Sequence, residues 1–172
     1  MHAAHTGLYV IMGVCGSGKT TIGAQLAREL GLEFVEGDDL HPPDNVQRMA
    51  AGIPLTDEDR RGWLLAIAAR LRDAKRAGTG LVVSCSALKR SYRDLLRSNG
   101  DPDTRFVYLG GSRALIAERM AHRSGHFMPP SLLESQLAIL EEPAPDEHAW
   151  ACDIQAAPDA IVVDLVTRTA SA

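Results

Sequence analysis

Short apolar runs alternate along this chain with longer segments whose apolar residues recur every three or four positions. The runs are typical of strands buried on both faces of a parallel sheet. We expect strands at residues 8–12, at 32–36, where apolar and polar residues alternate, and at 81–85, 105–109 and 149–155. We expect helices over residues 21–30, 46–51, 56–77, 88–97, 112–122 and 131–140. This alternation predicts an α/β fold of three layers, with helices on both faces of a parallel sheet.

The last apolar segment, residues 161–166, leaves two interpretations open. Its Ile and Val residues have strand propensity. Its position after Pro158 and the spacing of Ile161 and Leu165 suit a closing helix instead. In either case, a parallel sheet of this kind binds ligands beyond the carboxyl ends of its strands. We therefore expect the loops after the first four strands to share one cleft.

The turn between the first strand and the first helix has the spacing of a phosphate-binding loop, G-x-x-x-x-G-K-[ST]. Free backbone N–H groups and the positive end of the helix dipole can hold phosphate oxygens there. Lys19 is expected to reach the β- and γ-phosphates of a nucleotide, and the Thr20 hydroxyl to ligate Mg²⁺. A chance glycine-rich turn is the alternative, and the flanking strand and helix argue against it. The motif consists of Gly13, Val14, Cys15, Gly16, Ser17, Gly18, Lys19 and Thr20.

Composition narrows the classes of function. The 172 residues suit one domain, and the formal net charge is −4. Because no long basic stretch is present, nucleic acid is not expected as a partner. No apolar run approaches ~18 residues, so no membrane association is expected. The three cysteines are far apart in sequence, which fits a cytoplasmic location without disulfides.

Two acids stand at the end of the second predicted strand, and none stands at the end of the third. Phosphate-loop ATPases usually hold Mg²⁺ through an Asp at a strand end, but residues 84–86 are Ser-Cys-Ser. We expect Glu36 and Asp38 to act instead, one orienting magnesium waters and one accepting a proton from a substrate hydroxyl. A period of two puts both side chains on one face of the strand. The alternative is a pair of solvated turn acids.

A group of basic residues surrounds Gly125, a hinge-like position. Arg119, Arg123 and His126 are expected to belong to a lid that neutralises the charge of the transferring phosphoryl group. Closure of such a lid would also keep water from the γ-phosphate. The alternative is a solvated basic helix end.

The helix after a polar insertion carries a further cation. Arg60 lies near Trp63 in sequence, and an arginine in the shared cleft can clamp a substrate carboxylate bidentately. Surface charge beside a core tryptophan is the alternative. Lys89, which follows Ser86, is likewise either an anion ligand or a surface charge.

Together these segments resemble the gluconate kinases, or gluconokinases, of the small phosphate-loop kinases. The resemblance runs almost from end to end and is most specific outside the phosphate loop. It rests on residues 12–14, 16–19, 37–38, 40–42, 45, 49, 52, 54–55, 57–60, 63–64, 85–89, 92–97, 108–109, 123, 125–127 and 142–143. It implies the fold of adenylate and shikimate kinases, with a five-stranded parallel sheet and a lid, often as a homodimer. The implied reaction is phosphorylation of D-gluconate at its 6-hydroxyl by ATP with Mg²⁺.

The resemblance also implies roles for single residues. Glu36 is expected beside the magnesium waters, and Asp38 at the substrate hydroxyl as a base. Catalysis is assigned to Lys19, Asp38 and Arg123. ATP binding is assigned to residues 13–20 with Thr21, to Arg119 against the adenine, and to Gln155 and Pro158 at its border. Substrate binding is assigned to Asp38, His41, Arg60, Ser86, Lys89 and His126.

One domain is expected over residues 1–172, with a substrate-binding insertion at about 38–62 and a lid at about 119–130. Two other functions stay open. The first is a kinase for another small hydroxy acid, such as shikimate, and the insertion at His41 argues against it. The second is a nucleotide-binding regulator without turnover, and the set Asp38, Arg60 and Arg123 argues against it.

Overall fold

The computed structural model describes residues 4–122 and 130–172. Five strands form one sheet in the order β2-β3-β1-β4-β5, and every neighbouring pair is parallel. The expected five-stranded parallel sheet is therefore confirmed. The strands are β1 (Leu8–Met12), β2 (Phe34–Glu36), β3 (Leu81–Ser84), β4 (Arg105–Gly110) and β5 (Trp150–Asp153).

Helices connect the strands and cover the sheet. Within the described residues they are α1 (Lys19–Leu30), α2 (Pro43–Ala50), α3 (Asp57–Ala77), α4 (Arg90–Asn99), α5 (Arg113–Ala121), α6 (Pro130–Ile139) and α7 (Pro158–Ser171). Single 3-10 turns lie at Gly37–Leu40 and Pro145–Glu147. In the described part of the chain, none of the helices has the length and apolar character needed to cross a bilayer.

The central strand β1 is buried along its whole length. It pairs with β3 on one side, Val10 opposite Val83, and with β4 on the other, Val10 opposite Phe106. A strand with sheet neighbours on both edges and helices on both faces must be apolar at every position. The position of β1 places the phosphate loop, which follows it, at the middle of the sheet's carboxyl edge.

The strand order separates β2 from β1. The chain leaves β1 through α1 to β2 at the sheet edge and returns through α3 to β3, which fills the gap. The acids at the end of β2, Glu36 and Asp38, are therefore separated from the phosphate loop by the end of β3. The alternation of strands and helices does not specify this order.

The closing segment is the helix α7. Pro158 stands at its first turn, where a missing N–H costs nothing, and Ile161, Val162 and Leu165 are buried. α7 packs against α1. Its apolar residues are therefore spaced for a helix face, although their types favour a strand.

Helix α3 begins with a complete capping box. The Thr56 hydroxyl accepts the Asp59 backbone N–H, and the Asp59 carboxylate accepts the Thr56 N–H. These bonds satisfy donors that a helix start leaves unpaired. A well-defined start sets the rotation of the first turns, which carry Arg60 and Trp63 into the molecule.

A buried ion-pair network ties α4 to the turn before β5. Arg93 has no exposed side-chain surface, and its guanidinium donates to both carboxylate oxygens of Glu147 at 2.7 and 3.0 Å. Arg97 adds a bond of 3.1 Å. Burial would raise the pKa of Glu147, but its bonds with Arg93, the Ala144 N–H and Arg97 lower it to about 2.

We expect Glu147→Gln to lower the free energy of unfolding by about 3–5 kcal/mol, because it leaves a buried guanidinium without its counter-charge. The Glu147 pKa is about 4.5 before folding and about 2 after it. The stabilisation is therefore complete above pH 4.5 and is lost as the pH falls towards 2. Denaturant unfolding of the wild type and the variant at pH 7 measures the loss of stability, and the same comparison at pH 3 measures its pH dependence. Asp164→Asn, which breaks an exposed pair with Arg168, should change stability by less than about 1 kcal/mol.

Candidate active site

A cavity of about 490 Å³ opens at the carboxyl ends of β1, β2 and β3. Residues from the phosphate loop, from the turn after β2 and from α3 line it together. Ser86, after β3, and residues of α6 close the remaining sides. The expectation that the loops after the first four strands share one cleft is met for the loops after β1, β2 and β3. Residues 111–112, which directly follow β4, do not line this cavity.

The phosphate loop is folded for anion binding. Gly18 precedes α1 with φ of 99°, a backbone conformation that L side chains rarely adopt. The Lys19 ammonium lies over the loop and donates to the carbonyl oxygens of Gly13 and Val14, both at 3.0 Å. Burial lowers the pKa of Lys19, and the Asp38 carboxylate opposes that effect. The two carbonyl oxygens thus hold the Lys19 ammonium at the loop, where phosphate oxygens can take their place as acceptors.

Glu36, the last residue of β2, joins the phosphate loop to β3. The Glu36 carboxylate accepts a hydrogen bond from the Thr20 hydroxyl on one oxygen. It accepts a bond of 2.6 Å from the Ser84 hydroxyl on the other. Thr20 and Glu36 therefore present adjacent oxygen atoms of the kind that Mg²⁺ prefers. Among the described residues, no three His, Cys, Asp or Glu side chains form a metal-binding cluster.

Asp38, the second acid, lies in a different backbone element from the one expected. β2 ends at Glu36, and Asp38 lies in a 3-10 turn, so the two do not share a strand face. The period-two prediction was wrong because the chain turns at Gly37. A Cβ there would lie 1.9 Å from the Ser84 carbonyl oxygen. The turn nevertheless brings Asp38 into the same cavity as Lys19.

Arg60 of α3 also lines the cavity and is 9% exposed. One nitrogen, Nη1, donates to the Leu55 carbonyl at 2.7 Å and to the Tyr92 hydroxyl at 3.0 Å. The Tyr92 hydroxyl in turn donates to Asp57. Contacts on a single nitrogen set the direction of the guanidinium, and its planar fork can still receive a carboxylate.

The structure does not bring Lys89 to the cavity wall. Its ammonium pairs with both oxygens of Asp57, at 2.9 and 3.2 Å. Ser86 does line the cavity, and its carbonyl accepts the Gly13 N–H. His41 also lines the cavity, stacked on Trp63 with ring centroids 4.0 Å apart.

The residues expected around the adenine lie outside this cavity. Arg119 of α5 donates to the carbonyl of Ile154, directly after β5. Gln155 follows in the same turn, and Pro158 begins α7. Arg119 is therefore beside the segment with which the resemblance associates it. Two further candidates, Arg123 and His126, lie outside the described residues.

Sequence reasoning missed a contact from α6. The Cys15 N–H donates to the Gln136 side-chain oxygen at 2.7 Å, across 121 residues of sequence. Leu132, Ser135 and Gln136 all line the cavity. No motif marks these residues, because a polar residue on an ordinary helix carries no local signal of its partner.

Comparison of the sequence with known proteins finds similarity to small-molecule kinases. Residues 15–158 match the family described as shikimate kinase. The chain is 49% identical to a gluconokinase of Gluconobacter oxydans (strain 621H), over 91% of this chain and 88% of that protein. It is also 49% identical to the thermosensitive gluconokinase of Escherichia coli (strain K12), over 81% and 74%.

Solved structures show the same similarity in three dimensions. An unliganded sugar kinase from Janibacter sp. HTCC2649 has a TM-score of 0.90 and 48% identity, with coverage of 95% of this chain and 94% of that one. A gluconokinase from Sinorhizobium meliloti 1021 has a TM-score of 0.84 and 49% identity, with coverage of 93% and 89%.

Proposed function

The chain belongs to the gluconokinase family, and on that premise we propose that it transfers the γ-phosphoryl group of ATP to the 6-hydroxyl of D-gluconate, giving 6-phospho-D-gluconate. One observation carries the proposal. A single cavity is lined by the phosphate loop, by Asp38 and by Arg60. These are a site for a triphosphate, an acceptor for a hydroxyl proton and a cation for a sugar-acid carboxylate.

The protein would catalyse the transfer by positioning the two substrates and by stabilising negative charge on the phosphoryl group. Phosphoryl transfer leaves little covalent chemistry for the protein to do. The loop amides and Lys19 hold the phosphate oxygens. Asp38 accepts the proton of the substrate hydroxyl as the hydroxyl oxygen attacks the γ-phosphorus. Arg123 is assigned to the developing charge by resemblance, and its position belongs to the undescribed part of the chain.

Magnesium would be held by Thr20 directly and by Glu36 through water. Mg²⁺ keeps several waters and is usually bound by one or two protein groups together with substrate phosphates. The contact between the Thr20 hydroxyl and Glu36 supports this assignment. When bound, the ion neutralises charge on the phosphates.

ATP would be bound by residues 13–20 with Thr21, and its adenine by Arg119, Gln155 and Pro158. The closeness of Arg119 to Ile154 supports the adenine site. Gluconate would be bound by Arg60 at its carboxylate and by Asp38, His41 and Ser86 at its hydroxyls. Lys89 could join only if its ion pair with Asp57 opened, and His126 is assigned by resemblance alone.

A coupled assay for ADP formation over a panel of sugar acids tests the function. Turnover with gluconate, and little with shikimate or other small hydroxy acids, is the expected result. Turnover with a different acid would overturn the substrate assignment only. Nucleotide binding without turnover of any acid would favour the regulator.

We expect Arg60→Lys to raise the KM for gluconate by about 10–100-fold, because hydrogen bonds to charged groups contribute about 1.5–3 kcal/mol. Lysine keeps the charge and loses the fork that matches a carboxylate. The KM for ATP should stay within about twofold. Steady-state kinetics with each substrate varied in turn measures both constants. Arg61→Lys, on the exposed side of the same turn, is the matched control and should leave both constants unchanged.

Three further assignments complete the proposal. Residues 1–172 would act as one domain, with the insertion and lid at the ranges expected from the sequence. A cytoplasmic location is supported by three buried cysteines, none of which forms a disulfide, as suits a reducing compartment. A homodimer follows from the resemblance alone, and light scattering coupled to size exclusion measures it.

A further inference from the structure

Asn45 lies behind the cavity wall, in α2, and is 4% exposed. Its side-chain nitrogen donates to the Asp59 carbonyl at 2.8 Å. A carbonyl can only accept, so this bond decides which end of the Asn45 amide is NH₂. The same nitrogen lies 3.2 Å from Nδ1 of His41. Because the amide nitrogen donates, Nδ1 of His41 must be the unprotonated, accepting nitrogen of the ring.

The plane of the His41 ring is fixed by a second contact. The ring stacks on Trp63 with an interplanar angle of 16°. The indole of Trp63 is itself held, since its N–H donates to the Gly37 carbonyl at 2.8 Å. Burial, with the Arg60 guanidinium nearby, lowers the pKa of His41 to about 4. The ring is therefore neutral at pH 7, and its one N–H is on Nε2.

Nε2 of His41 faces the proposed base. It lies 3.9 Å from a carboxylate oxygen of Asp38, too far for a direct hydrogen bond. A hydroxyl oxygen about 2.8 Å from both atoms fits between them. Such a hydroxyl donates its proton to the carboxylate and accepts the imidazole N–H on one of its two lone pairs.

We propose that Asn45 is a positioning residue that keeps the proton of His41 on Nε2, so that His41 and Asp38 hold one substrate hydroxyl between them. This inference rests on the proposed function. The second lone pair of the hydroxyl oxygen forms the bond to the γ-phosphorus. The bond from that phosphorus to the β–γ bridging oxygen breaks, ADP leaves with the electron pair, and the hydroxyl proton passes to Asp38.

The first test reads the tautomer in the free protein. At pH 7, the nitrogen-15 chemical shifts of histidine rings distinguish protonated from unprotonated nitrogens. The signals of His41 are those missing from the spectrum of the His41→Gln variant. The expected result is a proton on Nε2 and none on Nδ1. A proton on Nδ1 in the wild-type protein would overturn the inference. This measurement needs no substrate, so it decides the inference even if gluconate proves not to be the acceptor.

The second test is a double-mutant cycle. Asn45→Asp keeps the shape of the side chain but offers only acceptors, so it favours a proton on Nδ1. We expect it to lower kcat/KM for the acceptor by about 10–100-fold, as loss of such positioning groups does, with ATP affinity unchanged. In the His41→Gln background, which keeps a donor and has no tautomer, the same change should cost less than about twofold. An equal loss in both backgrounds would show that Asn45 does not act through His41.

Discussion

Asp38→Asn should lower kcat by about 10²–10⁴-fold, the range for loss of a positioned general base. Asparagine has the shape of the carboxylate and can still touch the hydroxyl, but it cannot take up the proton. Asp38 lines the same cavity as Lys19 and Thr20. We therefore expect the variant to bind ATP at least as tightly as the wild type, since a negative charge opposite the triphosphate is removed.

Rapid-quench measurement of product formation, together with calorimetry of a non-hydrolysable ATP analogue, separates these two effects. Asp44→Asn makes the same chemical change at an exposed position of α2 and should leave kcat within about twofold. If Asp38→Asn turned over at the wild-type rate, the base assignment would be wrong, and Asp38 could only help to orient the substrate.

Lys19→Met should lower kcat by at least about 10²-fold, the cost of removing one donor aimed at charge that develops in the transition state. Methionine keeps much of the length of the side chain and removes the ammonium. Unlike Asp38→Asn, this variant should also bind ATP more weakly, because Lys19 contacts the phosphates in the ground state as well.

The ATP titration is therefore the measurement that distinguishes the two variants. Lys75→Met removes a cation that forms an exposed pair with Asp103 and serves as the control, with ATP affinity unchanged. Melting temperatures of both variants should lie within a few degrees of the wild type. An ATP affinity of Lys19→Met equal to that of the wild type would contradict placement of the ammonium on the phosphates.

The sequence predicted those features of the fold that depend only on residues close together in the chain. The phosphate loop needs only residues 13–20 and the glycine dihedrals among them, since strand, turn and helix follow one another without a gap. The buried strands were readable because a parallel sheet covered on both faces demands unbroken apolar runs. Helix α3 was marked by its own capping residues, Thr56 and Asp59.

Tertiary structure decided which distant residues meet. The sequence did not specify that β3 lies between β1 and β2, and Ser84 bonds to Glu36 only because of that order. Asp38 was expected on a strand face, but a 3-10 turn begins at Gly37 and takes Asp38 off the strand.

The same holds for the side chains that orient others. Tyr92 directs Arg60, and Asn45 directs His41. α7 is a helix because its apolar residues pack against α1, although their types favour a strand. Local sequence determines backbone conformation and the order of apolar and polar positions. The partner of a polar side chain depends on how separate elements pack, and no short stretch of sequence contains that information.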